Sequence, residues 1–272
     1  MRVALFATCV NDALLPSTAI ATVRLLERIG LDVDFPAAQS CCGQPQYNSG
    51  YPRACEPLVR RTVRAFAGYD HVVTPSGSCV ATVRDAHPRI AARAGGGLAS
   101  AVAALTPRVH ELSEFLVDVL GVEDVGAWFP HTVTYHPSCH GLRLLGLGDR
   151  PLRLLRAVRG LELLELPNAE ECCGFGGTFA VKNPAVSAAM AADKTAHALS
   201  TGARVLCGGD NSCLLHLGGT LRRQGAALRP LHLAEILAST EAEPWRPDGA
   251  PPDGGPRRAG RSRPAPAPGR TA

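Results

Sequence analysis

Ten cysteines stand in this 272-residue chain, and eight of them fall into two rows of one design. The first row is Cys9, the adjacent pair Cys41 and Cys42, then Cys79; the second is Cys139, the pair Cys172 and Cys173, then Cys213. Corresponding members lie 130, 131, 131 and 134 residues apart. Both pairs are followed by glycine (Gly43, Gly174), and both last cysteines follow serine (Ser78, Ser212). Cys55 and Cys207 have no counterpart and read as core residues. Thiolate sulfur is a soft ligand that selects zinc, copper(I) or iron–sulfur centres. Zinc ribbons usually grip one ion with Cys-x-x-Cys knuckles, and neither row contains one. Adjacent side chains tend to diverge, which suits separate irons of a multinuclear core better than one small tetrahedral ion. A glycine after each pair allows a close backbone approach and an unusual dihedral. One iron–sulfur cluster per half is the reading these residues favour. Buried inert thiols and a reversible disulfide between Cys41 and Cys42 are the plainer alternatives.

Other polar residues near the rows say less. His136 and His140 flank Cys139, and although histidine replaces cysteine at some irons, a hydrogen-bonding role for these rings is the expectation. Gly174-Phe175-Gly176-Gly177 is not followed by Gly-Lys-Ser/Thr and does not match a dinucleotide fingerprint; its glycines fit a backbone passing close to a cluster. Lys182, one of only two lysines, reads as solvated. No Ser-His-Asp or paired-carboxylate arrangement stands out, so no catalytic residue is assigned.

The elements that must position these cysteines alternate. Strands are expected over 3–8, 32–35 and 71–74 in the first half and over 132–135, 161–166 and 203–206 in the second. Helical periodicity covers 17–29, 53–67, 151–158 and 184–199. Strands and helices alternating with short Gly/Pro turns predict α/β units with mainly parallel sheets. The cysteines then fall just past the C-terminal ends of strands and near helix N-termini, where such sheets keep their sites and partial positive charge favours an anionic core. Leu112-Ser113-Glu114-Phe115-Leu116 closes the first half and Leu233-Ala234-Glu235-Ile236-Leu237 the second. Two pseudo-symmetric units over 1–125 and 126–240 follow. From 241 to 272 Pro, Gly and Arg dominate, periodicity ends, and a disordered tail is expected.

Several longer motifs accompany the cysteines. They are Thr8-Cys9, Cys41-Cys42-Gly43-Gln44-Pro45, Asn48-Ser49-Gly50-Tyr51, Pro75-Ser76-Gly77-Ser78-Cys79, Tyr135-His136-Pro137-Ser138-Cys139, Cys172-Cys173-Gly174-Phe175-Gly176-Gly177-Thr178-Phe179 and Asn211-Ser212-Cys213-Leu214-Leu215. Through them the sequence resembles the duplicated cysteine-rich CCG-domain family, over residues 1 to about 240. That domain occurs in heterodisulfide reductase and in the iron–sulfur components of glycolate and anaerobic glycerol-3-phosphate oxidation systems. The lactate-utilization branch is the most similar part of the family. The resemblance implies that Cys9, Cys41, Cys42 and Cys79 hold one cluster, and that Cys139, Cys172, Cys173 and Cys213 hold another. The heterodisulfide reductase relative ends each block in Cys-x-x-Cys; the first position of that pair is here Ser76 or Asp210. Four thiolates per half remain, enough for a 4Fe-4S cube, with Asp210 as a candidate extra oxygen ligand. The implied role is electron transfer in a multi-subunit system that oxidises L-lactate to pyruvate. It would act beside two further subunits, one a ferredoxin-like iron–sulfur protein. Alternatives are a thiol/disulfide reductase component like the heterodisulfide reductase relative, the iron–sulfur component of a glycolate or glycerol-3-phosphate system, and a zinc-binding scaffold.

Composition narrows the field further. Hydrophobic residues make up 46% of the chain and charged residues 19%, so a sizeable core is available and wholesale disorder is excluded. The net charge is +4, and from 241 onward six Arg face four acidic residues. The small remainder argues against a nucleic-acid face. No apolar run approaches the ~18 residues that span a bilayer, and no signal-peptide pattern is seen. A cytoplasmic location is expected, where clustered cysteines more often mean metal or redox chemistry than disulfides.

Overall fold

A computed structural model describes residues 1–246. The first half builds β1 (Val3–Leu5), β2 (Val33–Asp34), β3 (His71–Thr74) and β4 (Val109–Glu111) into one sheet of order β2-β1-β3-β4. The second builds β5 (Thr132–His136), β6 (Glu162–Leu164), β7 (Val205–Gly208) and β8 (Arg229–His232) into a sheet of order β6-β5-β7-β8. Every pairing is parallel. The two orders are the same, as the duplicated cysteines require, and the α/β class expected from the sequence is what the chain adopts. β1 reads Val-Ala-Leu with all three residues buried, the run expected of a parallel strand covered on both faces.

The expected helices form at Pro16–Arg28, Pro52–Phe66, Arg150–Arg156 and Pro184–Ser200. Each has proline in its first turn, where the missing N–H costs nothing. In each sheet the chain runs outward from β1 to β2 (β5 to β6) and then crosses to the other side of the first strand. The switch points lie between β1 and β3 and between β5 and β7. Crevices at such points, outside the carboxyl ends of the strands, are where open α/β sheets bind ligands. Cys9 and Cys79 follow β1 and β3; Cys139 and Cys213 follow β5 and β7.

The halves exchange their last helices. The Leu233–Ala238 helix packs on the Pro16–Arg28 helix of the other half, and Leu112–Glu114 with the turn after it meets Arg150–Arg156. One apolar cluster therefore joins Leu25 and Leu26 to Leu233, Ile236 and Leu237, and Phe115 and Leu116 to Leu154 and Leu155. Arg28 fixes the first exchange by donating to the carbonyls of Ala238 (2.8 Å) and Val125 (3.1 Å). Arg150 fixes the second with a 2.8 Å bond to Asp118. Of the expected tail, residues 241–246 lie along both halves: Trp245 packs tilted against Phe129 (5.5 Å between ring centres), Glu241 pairs with Arg159 at 2.9 Å, and Glu243 pairs with Arg24 of the first half at 3.6 Å. The remainder of the tail, 247–272, lies outside the described residues.

Candidate metal centres

In the first half four thiols come together at the switch point. Cys9 opens a short helix directly after β1, and the preceding Thr8 has a left-handed φ of 73°. Such a backbone is costly for a non-glycine residue and clusters at functional sites. Cys41 and Cys42 sit in the loop before Gly43, whose φ is 90°. Cys79 lies in the first turn of the helix Gly77–Ala81 after β3, where the Ser76 hydroxyl accepts from its N–H at 3.4 Å. Cys41 Sγ lies 3.5 Å from Cys9 Sγ and Cys42 Sγ lies 3.4 Å from Cys79 Sγ, but the adjacent pair does not diverge as expected: the Cys41 and Cys42 thiols also hydrogen-bond each other.

The second half repeats the plan. Cys139 follows β5, Cys172 and Cys173 precede Gly174 with φ 85°, and Cys213 lies in the first turn of Asn211–Arg223, capped by Asp210. Burial matches member for member at the inner thiols: Cys42 and Cys173 are both 2% exposed, Cys79 and Cys213 both 8%. In each half the glycine after the pair donates its N–H to the first thiol of the pair, at 3.4 Å in both. Gly174 has no room for a side chain, because a Cβ there would sit 2.7 Å from Ser187 O and 2.8 Å from Met190 Cβ.

Charge explains what such a set accepts. The Cys41 thiol is pushed down to about 2, by hydrogen bonds from Cys42 and Cys9 and then by the Gly43 N–H. Cys172 is pushed down to about 2 by Cys139, Cys173 and Gly174. Cys9, Cys42, Cys139 and Cys173 all move up, first because their thiols donate to neighbouring cysteines and then because they are desolvated. Four crowded thiols hold one thiolate readily and resist a second, since like charges at this range disfavour each other. A cationic core removes that resistance, and soft sulfur selects a soft metal. The donor set in each half therefore fits a thiolate-bound metal centre.

All eight cysteines line one shared cavity of about 170 Å³. A larger open groove of about 980 Å³ around Arg204 and Arg222 contains none of them. Polar contacts between the halves ring the shared cavity. Gln44 meets His140 at 3.1 Å, Ser49 donates to Thr178 at 3.2 Å, and Asn211 donates to Asn11 and Thr18, each at 2.8 Å. Asp210 lines the cavity, but each of its oxygens is already engaged. Oδ1 accepts from the Ser212 hydroxyl at 2.5 Å, and Oδ2 accepts across the halves from the Ser78 N–H at 2.9 Å. Asp210 and its counterpart Ser76 thus meet face to face, at 3.4 Å, as a tie between the two thiol-bearing helices.

Cys55 stays apart from the thiols. Its Sγ lies 3.4 Å from the Gly43 carbonyl, behind the turn. Cys207 is fully buried in β7 within the joint core. Of the two lysines, Lys182 is exposed as expected, and the other is the one that sequence reasoning misses. Lys194 is 1% exposed, and its ammonium donates to the carbonyls of Asn168 (2.6 Å) and Ala169 (2.8 Å), in the loop leading to Cys172. Burial pushes the Lys194 ammonium down, while the Glu171 carboxylate and then the sulfurs of Cys173, Cys172 and Cys213 favour its charge, so this cation offsets negative charge at the second thiol set. Its signal is present in the pattern: 191, 194, 195 and 198 form the buried face of their helix, and a lysine on such a face needs a reason. His87 is missed in the same way. It is fully buried with Nε2 2.8 Å from the Cys42 carbonyl, which orients the first pair.

Comparison with known proteins agrees with the duplication. The cysteine-rich domain family CCG matches this chain twice, over residues 3–84 and 133–218. Among curated proteins, lactate utilization protein A of Geobacillus kaustophilus is 50% identical over 87% of this chain and 98% of its own length. That of Geobacillus sp. WCH70 is 48% identical over 88% and 100%, and that of Oceanobacillus iheyensis 46% over 87% and 96%. Among solved structures, glutamate racemase RacE1 of Bacillus anthracis superposes with a TM-score of 0.37 at 11% identity, over 87% of this chain and 78% of that one. That likeness is too low to bear on the site.

Proposed function

Because this chain belongs to the duplicated cysteine-rich CCG family and to its lactate utilization protein A branch, we propose that it is the iron–sulfur electron-transfer subunit of a cytoplasmic system that oxidises L-lactate to pyruvate. The carrying observation is the pair of four-thiol sets lining one cavity. In this reading Cys9, Cys41, Cys42 and Cys79 hold one 4Fe-4S cluster, and Cys139, Cys172, Cys173 and Cys213 the other, one in each of the units 1–125 and 126–240. When bound, such clusters supply one-electron oxidation and reduction. The chain's own residues set how they do so. The Gly43 and Gly174 N–H groups donate to sulfur, and burial of Cys42, Cys79, Cys173 and Cys213 lowers the local dielectric; both are levers on potential. Exposed Cys9 marks the side on which electrons enter or leave.

In this reading the lactate chemistry belongs to partner subunits. Two are proposed, one of them a ferredoxin-like iron–sulfur protein. The test is anaerobic mixing of this protein with its partner subunits and L-lactate, watching the visible absorption of the clusters. Bleaching that requires lactate and the partners, and is reduced in C42S and C173S, is the expected result. Bleaching by glycolate or glycerol 3-phosphate in place of lactate would move the assignment to a sister system. No response to any of the three would refute it.

A specific observation favours a second reading. Sulfurs 3.4–3.5 Å apart are close to the edge of a single-ion tetrahedron, about 3.8 Å for zinc bound at ~2.3 Å. One structural zinc per half would give a colourless scaffold protein, and metal analysis separates the two.

A further inference from the structure

Beside the thiols of the second half stands a histidine that the first half lacks. His136 ends β5, three residues before Cys139. It is 2% exposed, and neither ring nitrogen has a hydrogen-bond partner among the described residues. Buried polar groups are almost always partnered, so this ring fails the hydrogen-bonding role expected of it. A nitrogen of His136, Cys173 Sγ and Cys213 Sγ all lie within 4.8 Å of one another. In the first half the position three residues before Cys9 is Phe6. Its ring packs 5.2 Å from that of Phe66, in the apolar cluster that includes Cys42 and Cys79. The two thiol sets match closely, yet their backing differs: apolar in one half, an imidazole with free nitrogens in the other.

The neighbouring histidines are already engaged. His140 pairs through Nε2 with Gln44 and through Nδ1 with Cys139 Sγ at 3.7 Å, and His87 is turned through Nε2 to the Cys42 carbonyl. Neither belongs to the group of His136, Cys173 and Cys213.

We propose that His136 is a ligand, through one ring nitrogen, of the centre held by the second half, beside Cys173 and Cys213. The two centres are then chemically different: sulfur alone in the first, sulfur and nitrogen in the second. Imidazole is a good donor to iron and to zinc alike; because Cys139, Cys172, Cys173 and Cys213 are all present, His136 is a fifth donor added to the four thiolates of this half, not a replacement for one. The inference rests on the reading that each half holds a metal centre.

The test uses the full-length protein labelled with ¹⁵N-histidine, purified without oxygen and poised so that its clusters are paramagnetic. Pulsed electron paramagnetic resonance then reads nitrogen coupling. A directly bonded ¹⁵N coupling is expected in the wild type and in C42S, and is expected to be absent from C173S and from H136F. H136F should keep the iron of the first centre, since phenylalanine stands at the matching place there. The C42S and C173S pair leaves His136 in place, so the result does not depend on H136F folding. A loaded protein showing only the weak couplings of hydrogen-bonded nitrogen, or a bonded coupling that survives in H136F, overturns the proposal and leaves the electron-transfer reading standing. A protein that takes up neither iron nor sulfide in either half overturns both.

Discussion

Gly43 and Gly174 occupy the same place after their cysteine pairs and share a left-handed backbone, yet alanine at the two sites should have unequal effects. At Gly43, with φ 90°, an added Cβ meets nothing closer than 3.5 Å. The cost is that of the backbone alone, about 1–2 kcal/mol. At Gly174, with φ 85°, the same Cβ meets Ser187 O at 2.7 Å and Met190 Cβ at 2.8 Å. Both belong to the Pro184–Ser200 helix, and a backbone carbonyl cannot rotate away. Overpacking of this kind adds about 1–3 kcal/mol, for a total of about 2–5. Relief by shifting the turn would stretch the 2.8 Å bond from the Ser187 hydroxyl to the Gly174 carbonyl and displace Cys172 and Cys173. Anaerobic urea unfolding of G43A and G174A, with metal content of each folded protein, reads both effects. G174A is expected to be the less stable by about 1–3 kcal/mol and to lose metal from the second half first. Equal losses in the two variants, or a G174A indistinguishable from wild type, would refute the reasoning.

Asp210→Ala removes the cap on Ser212 and leaves the buried Ser78 N–H unanswered. It should cost about 2–4 kcal/mol without changing iron content, as unfolding and metal analysis will show; iron lost at unchanged stability would put the carboxylate on the metal. A fragment covering 1–125 lacks the helix that covers Leu25 and Leu26, both 0% exposed in the whole chain. It should not unfold cooperatively by circular dichroism, and a native-like transition would contradict the exchange of helices as a stabilising feature. Two buried groups give stability opposite dependences on pH. His232 accepts from the Ala234 N–H and is pushed down to about 4 by burial, so its contribution is full above its ordinary 6.5 and drains as pH falls from 6.5 to 4. Glu111 is pushed up to about 7 by burial, so its contribution is full below 4.5 and drains as pH rises from 4.5 to 7. His232→Asn should flatten the acid side of the stability profile and Glu111→Gln the neutral side, each by at most about 3 kcal/mol; profiles unchanged in both would count against these assignments.

The cysteine rows, the duplication and the strand ends that carry them were legible in the sequence, because residue type and spacing encode them directly. The fourth strand of each sheet was not. β4 reads Val-His-Glu and β8 reads Arg-Pro-Leu-His, too polar or too proline-marked to stand out, and both lie at sheet edges where such residues are tolerated. The exchange of terminal helices was equally hidden, since Pro16–Arg28 packing against Leu233–Ala238 joins segments far apart in the chain. Asp210 illustrates the limit at the site. Its place in the motif suggested a ligand, and its partners Ser78 and Ser212 give it a cap and a tie besides, roles that no local pattern announces. Lys194 and His136 are the opposite case: a lysine on a buried helix face and a histidine ending an apolar strand are visible anomalies whose meaning needs their neighbours.

The central claim is that each half grips its own iron–sulfur core. It is tested most directly by iron, acid-labile sulfide and zinc analysis of the anaerobically purified wild type beside C42S and C173S. Iron and sulfide in equal amounts in the wild type, with roughly half of each lost in either variant, is the result the account predicts. Zinc without sulfide, no metal in any of the three, or variants that keep the full complement would contradict it.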